Sequence, residues 1–98
     1  MAAFRAFDDA AMLDDVMALP ELADVKAVPV TLELTSENSI KDGLNAAIEG
    51  LGGLDVVVNN AALALIKPVV DVTWDDWDSL VSVNLKGAYF LSARFAEH

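Results

Sequence analysis

The hydrophobic positions of this chain fall into runs whose period alternates between that of a helix and that of a strand. Residues 10–19 carry Met12, Leu13, Val16 and Leu19 at helical spacing. Asp8 and Asp9 put negative charge at the N-terminal end of that run and Pro20 stops it, which together predict a first helix. Residues 25–34 set Val28, Val30, Leu32 and Leu34 against Pro29, Thr31 and Glu33, a period of two that predicts a strand. Pro29 removes one ladder donor, so this strand belongs at a sheet edge. Ser36 can cap a second helix whose inner face is Ile40, Leu44, Ala47, Ile48 and Leu51, with Gly50, Gly52 and Gly53 as its exit.

Residues 54–58 are nearly all apolar and β-branched, as expected of a strand covered on both faces in a parallel sheet. Asn59 and Asn60 end it. After a loop containing Pro68, Thr73 and Asp76 have the spacing of a capping box. Trp77, Leu80, Val81, Ala88, Leu91 and Phe95 then form a helical stripe to the end of the chain. Gly87 inside that helix costs about 1 kcal/mol relative to alanine and predicts a close backbone approach. Helix, strand, helix, strand, helix is the order of an α/β fold with a parallel sheet, in a single domain without repeats or linkers.

Composition narrows the chemistry. The 98 residues are 55% apolar and 22% charged, too hydrophobic for a disordered chain. With no cysteine there is no disulfide framework, thiol nucleophile or zinc-thiolate site, and a single histidine argues against metal chemistry. Sixteen acids against six bases, a net charge of -10, oppose nucleic-acid and anionic-membrane binding and favour a small-molecule ligand. The longest unbroken apolar run, residues 61–66, is far short of a membrane span, so the expected compartment is cytoplasmic.

Ligands of open α/β sheets bind outside the carboxyl ends of the strands, which points to residues 33–35 and 59–62. Adjacent amides at Asn59 and Asn60 can fix a loop by bonding its backbone, and Ala61 and Ala62 leave room for a flat ligand. Two asparagines after a strand, taken alone, are more simply read as an ordinary turn. Asn84 falls seven residues after Trp77 on the apolar stripe, so its amide is expected to face inward and to distort the helix near Gly87. The acidic pairs Asp8-Asp9, Asp14-Asp15 and Asp75-Asp76 read as solvated helix ends rather than a metal or phospho-acceptor cluster, because no acid ends the second strand.

The string Leu54-Asp-Val-Val-Val-Asn-Asn-Ala-Ala62, followed by Pro68, Trp77 and Val83-Asn-Leu-Lys-Gly87, resembles the central part of the short-chain dehydrogenase/reductase family. Ala62 stands where that family has glycine, and Glu33-Leu34-Thr35 where it has Asp, a hydrophobic residue and Thr or Ser. The resemblance runs over residues 8–98. It implies a partial, incomplete NAD(P)-binding Rossmann-like fold lacking two upstream strands with their Gly-rich phosphate loop. The catalytic Ser and Tyr-x-x-x-Lys half is expected downstream of His98; Tyr89 reads as a packing residue. By resemblance, Glu33, Leu34, Asn59, Asn60, Ala61 and Ala62 bind the cofactor, NAD or NADP. Asn84 alone represents the catalytic group, holding a water in its proton relay.

The function so implied is that of a fragment of an NAD(P)-dependent oxidoreductase, inactive by itself, whose parent moves hydride between a nicotinamide and an alcohol or carbonyl substrate. The alternative is a non-catalytic interaction module on the same core. Tyr89, Phe90, Leu91 and Phe95 exceed what one small core covers, and the family often builds a dimer on this helix, so a homo-oligomer through the last helix is expected. Direct parallel pairing of residues 28–32 with 56–58 is expected as well, since unpaired backbone along a buried strand is costly.

Overall fold

The computed structural model describes the backbone of residues 2–5 and 10–98, and side chains from Asp14 onward. Asp8 and Asp9, and the side chains of Met12 and Leu13, therefore lie outside the described residues. The element order is β1 (Ala2–Arg5), α1 (Ala10–Met17), a 3-10 turn (Pro20–Leu22), β2 (Val28–Thr31) and α2 (Glu37–Leu51). A second 3-10 turn (Val69–Asp71) leads to α3 (Trp74–Val81), a π-helical segment (Ser82–Gly87) and α4 (Ala88–Ala96).

β2 carries out the period-two pattern. Val30, Leu32 and Leu34 are buried while Pro29, Thr31 and Glu33 are exposed. The ladder is shorter than the pattern because its partner β1 spans only four residues, pairing in parallel from Ala2 with Val28 to Arg5 with Thr31. The sequence reading placed no strand ahead of the first helix, since Ala-Ala-Phe-Arg is too short to display a period. Pro29 sits in a two-stranded sheet, where a missing donor can face away from the ladder.

α2 forms as expected. The Ser36 hydroxyl accepts from the Ser39 N–H at 3.2 Å, and Gly52 closes the helix with φ 83°, a left-handed conformation that glycine adopts at little cost. Ile40, Leu44 and Ala47 are buried against β2 and α4. The core joins Leu32, Leu34, Ile40, Leu44 and Leu91, flanked by Leu54, Val57, Val83 and Phe95. Burying each large side chain stabilises the fold by about 1.5–3 kcal/mol. α1 gains less, since Val16 and Leu19 remain exposed among the described residues.

Two expectations are corrected. Residues 54–58 form no ladder, and β2 pairs with β1 instead of with them. Leu54 and Val57 reach the core, but Val56 and Val58 are 75% and 73% exposed, so only one face of this run is covered. Its β-branched composition suits a strand, yet a strand also needs backbone partners, and the described residues supply none. The second concerns Asn84: the distortion expected near Gly87 is present as the π segment, but the amide does not face inward. The inward positions of the helix are Leu80, Val83, Gly87 and Leu91. The wider turn steps the pattern so that Val83 faces the core and Asn84 is exposed rather than inward. Trp77 is exposed too, because no described element covers that side.

Gly87 has the close approach its position predicts. A Cβ built there would lie 2.7 Å from the Leu34 carbonyl oxygen and 2.8 Å from the Leu34 Cβ. Alanine ordinarily favours a helix over glycine by about 1 kcal/mol, but here overpacking costs about 1–3 kcal/mol. Gly87→Ala is therefore expected to lower the urea midpoint of unfolding; an unchanged or raised midpoint would remove the close approach from the account.

Thr73 and Asp76 form the capping box. The Thr73 hydroxyl accepts from the Asp76 N–H at 3.1 Å, and the Asp76 carboxylate accepts from the Thr73 N–H at 3.0 Å. Lys67 adds an ion pair to the same carboxylate at 2.6 Å. The Lys67 bond, and next the Thr73 N–H, hold the Asp76 carboxyl below its ordinary 3.8, at about 2. A depressed acid contributes stability that is present above its unfolded-state pKa and is lost as pH falls through the folded one. Stability should thus decline between pH 3.8 and about 2 less steeply in Asp76→Asn than in the parent chain, as read by acid titration of the circular dichroism signal.

Candidate functional site

Leu34 seated against Gly87 brings the end of the β2 run close to the π segment. Between them lies an open cavity of about 290 Å³, lined by Glu33, Leu34, Thr35, Ala61, Ala62, Leu63 and Val83. Its two sides come from the segments that follow Thr31 and Val58, the places singled out by the strand-end rule.

One side is a tied turn. The Ser36 N–H donates to the Glu33 carbonyl at 3.1 Å, and the Glu33 N–H donates to the Ser39 hydroxyl at 2.8 Å, anchoring the turn on the first residues of α2. The Glu33 Oε1 accepts from the Thr35 hydroxyl at 2.8 Å and from the Thr35 N–H at 3.2 Å. This fixes one carboxylate oxygen and leaves Oε2 with no described partner at the cavity rim.

The other side is a loop held by two asparagines. The Asn59 Nδ2 donates to the Ser92 hydroxyl at 2.8 Å, and that hydroxyl donates to the Ala88 carbonyl at 2.9 Å, so the start of the loop is fixed to α4. The Asn84 Oδ1 accepts from the Leu63 N–H at 2.8 Å while its Nδ2 donates to the Leu63 carbonyl at 2.9 Å. The side-chain amide pairs with one residue's backbone as a neighbouring strand would. An exposed amide thus makes two bonds, which fits its place in an irregular helix segment better than burial would.

The structure therefore brings Glu33, Leu34, Ala61 and Ala62 together around one cavity. Asn59 and Asn84 support its wall without lining it, and Asn60 has neither a place in the lining nor a hydrogen bond among the described residues. Leu63, Val83 and Ser92 belong to the arrangement and were not among the expected site residues, while Thr35 lies in the strand-end stretch 33–35 without having been assigned to cofactor binding. Ser92 lies 33 positions from Asn59 and gave no local signal.

Chemically, the cavity offers apolar walls and one carboxylate. No basic side chain lines it, so it presents no counter-charge for a phosphate. The described residues include no cluster of three or more metal-ligating side chains.

Comparison with known proteins follows this geometry. The family model described as short chain dehydrogenase matches residues 7–98. The chain belongs to the short-chain dehydrogenase family. It is 42% identical over 76 residues to an L-2,3-butanediol dehydrogenase of Corynebacterium glutamicum, covering 78% of this chain and 30% of that one. A hydroxyacyl-CoA dehydrogenase of Mycobacterium tuberculosis is 33% identical over 93 residues, with 95% and 29% covered. This short-chain dehydrogenase sequence thus spans about three-tenths of the length of those relatives. Among solved structures, a doubly mutated short-chain dehydrogenase/reductase of Serratia marcescens superposes with a TM-score of 0.88 at 23% identity, over 99% of this chain and 39% of that chain. One from Brucella melitensis gives 0.83 at 24% identity, over 98% and 39%. The fold is accordingly α/β and Rossmann-like, with an incomplete parallel sheet.

The Asn84 pairing generates a direct expectation. Asn84→Leu removes both bonds to Leu63, and each such bond is worth about 0.5–1.5 kcal/mol. The Leu63 amide should then exchange with solvent about tenfold faster, while amides inside α2 keep their rates. Equal Leu63 exchange in both chains would contradict the pairing.

Proposed function

We propose that this chain supplies part of the nucleotide-binding half of an NAD(P)-dependent oxidoreductase, acting on an alcohol or carbonyl substrate. The observation that carries the reading is the cavity itself, in which Glu33 and Leu34 meet Ala61 and Ala62 across an apolar gap. At about 290 Å³ it is near the lower end of ligand clefts, which run from about 300 Å³, and suits one flat ring system rather than a whole dinucleotide. The adenine end of NAD or NADP fits these walls. Leu34, Ala61 and Ala62 would hold its faces, and the free Glu33 oxygen would accept from its amino group. Nothing in the lining suits the pyrophosphate.

The nicotinamide, when bound, supplies or accepts the hydride of such a reaction. The chain's own residues bind and position. Asn59 fixes the loop start through Ser92, and Asn60 is assigned to cofactor binding by the family resemblance alone. Asn84 is placed in a proton relay, for which its amide can hold a water once the Leu63 bonds open. We take the 98 residues as one partial domain that turns over no substrate alone, in a cytoplasmic protein. No described helix is long and apolar enough to cross a membrane.

A second reading rests on the helix surface. Trp74, Trp77, Leu85 and Tyr89 are 85%, 63%, 65% and 66% exposed, which favours an interaction face and a homo-oligomer through α3 and α4.

Titration of the labelled chain with adenosine monophosphate, followed by amide chemical shifts, separates the two readings. The nucleotide reading predicts shifts confined to Leu34, Thr35, Ala61, Ala62 and Leu63, reduced in Glu33→Gln. It also predicts no turnover of alcohols with NAD or NADP by the purified chain. Unmoved cavity resonances up to several millimolar nucleotide, together with concentration-dependent broadening on α3 and α4, would favour the interaction module.

A further inference from the structure

The Glu33 carboxylate is held in a way that the cofactor reading leaves without a purpose. Both backbone groups of Glu33 are tied to the start of α2: its N–H donates to the Ser39 hydroxyl at 2.8 Å, and its carbonyl accepts from the Ser36 N–H at 3.1 Å. The end of the side chain is held as well. Thr35 brings two donors to the same oxygen, its hydroxyl at 2.8 Å and its backbone N–H at 3.2 Å from Glu33 Oε1. Both residues are exposed, so these bonds compete with water and add little to the stability of the fold. Their consequence is orientation.

An exposed glutamate turns among several rotamers, and a ligand that needs it in one of them loses affinity by fixing it. Thr35 is β-branched and stiff at its first side-chain torsion, so its hydroxyl keeps one direction. We infer that Thr35 is a positioning and specificity-determining residue of the cavity, holding the Glu33 carboxylate by Oε1 so that Oε2 is presented as an acceptor to an amino-bearing ring. This rests on the nucleotide reading of the cavity and gives a role to a residue that the reading leaves without one. Thr35 lines the same cavity as Glu33, Leu34, Ala61 and Ala62.

An ionised carboxylate accepts hydrogen bonds and cannot donate one. Adenine offers it an exocyclic amino group, whereas hypoxanthine carries a carbonyl at the same ring position and sets acceptor against acceptor. No basic side chain in the lining offsets that clash, so the discrimination falls on the one carboxylate. A freely turning arm would swing to the ring N–H beside the carbonyl of hypoxanthine and lose the discrimination. A held arm stays opposite the carbonyl. Thr35 therefore governs the ratio of two affinities, while Leu34, Ala61 and Ala62 supply the contact with the ring faces that both bases share.

Adenosine and inosine are both neutral and differ in the group at that one ring position, which makes them the probes. Each is titrated into the isotopically labelled chain and its variants, and the amide shifts of the cavity residues give both affinities. The inference predicts that the parent chain binds adenosine about tenfold more tightly than inosine. Thr35→Val keeps the backbone N–H and removes the hydroxyl. It should lower the ratio to about threefold, with adenosine weakened, inosine not weakened and the amide shifts of α2 unchanged. Thr35→Ser, which returns the hydroxyl, should restore the ratio. Equal binding of the two nucleosides by the parent chain would overturn the inference, as would a ratio that Thr35→Val leaves at the parent value or Thr35→Ser fails to restore. Equal weakening of both nucleosides in Thr35→Val would overturn it too, since Thr35 would then only support the walls. In each of these outcomes the nucleotide reading stands. Cavity resonances unmoved by either nucleoside would overturn that reading and this inference with it.

Discussion

The contact between Gly87 and Leu34 is the constraint on which the rest of the candidate site depends. A backbone that passes within 2.7 Å of where a Cβ would stand can be reached only by glycine, so the end of the β2 run and the π segment are held at a fixed separation. That separation seats Leu34, one of the residues that line the cavity. It sets Val83 toward the core, leaves Asn84 beside the loop, and allows Asn84 to grip Leu63 through both amide atoms. The walls are then completed by the Glu33 turn, tied to Thr35 and Ser39, and by Ala61 and Ala62, whose small side chains leave the space open.

Much of this was legible in the sequence where the physics is local. Ser36, the apolar face Ile40, Leu44 and Ala47, and Gly52 specify α2 within a few residues of one another, and the structure follows them. The Thr73 and Asp76 box is local as well, and it forms. Glu33, Leu34, Ala61 and Ala62 fall in the two stretches to which the strand-end rule points, and they line one cavity. What the sequence concealed depends on partners. β1 has four residues and no period, and its existence rests on pairing with β2. The run at 54–58 has the composition of a buried strand but lacks the neighbour that would make it one. Asn84 was expected inward from a count of 3.6 residues per turn, which the π segment breaks.

The chain also shows how an incomplete sheet distributes its apolar surface. Leu54 and Val57 are spent on the core shared with α2 and α4, while Val56, Val58 and the outer residues of α3 and α4 remain in solvent. For a chain of net charge -10 that surface does not force indiscriminate clustering, since like-charged molecules repel at long range. Membership in the short-chain dehydrogenase family accounts for the core and for the cavity's place.

The central claim, that Gly87 packed on Leu34 holds the two sides of the cavity together, is tested most directly by nuclear Overhauser contacts in the isolated chain. The account predicts strong contacts from the Gly87 α-protons to the Leu34 side chain, in the same sample as contacts from the Asn84 amide protons to Leu63. If the Gly87 protons contact only their own helix while Leu34 packs elsewhere, the cavity is not built in this way and the account is wrong.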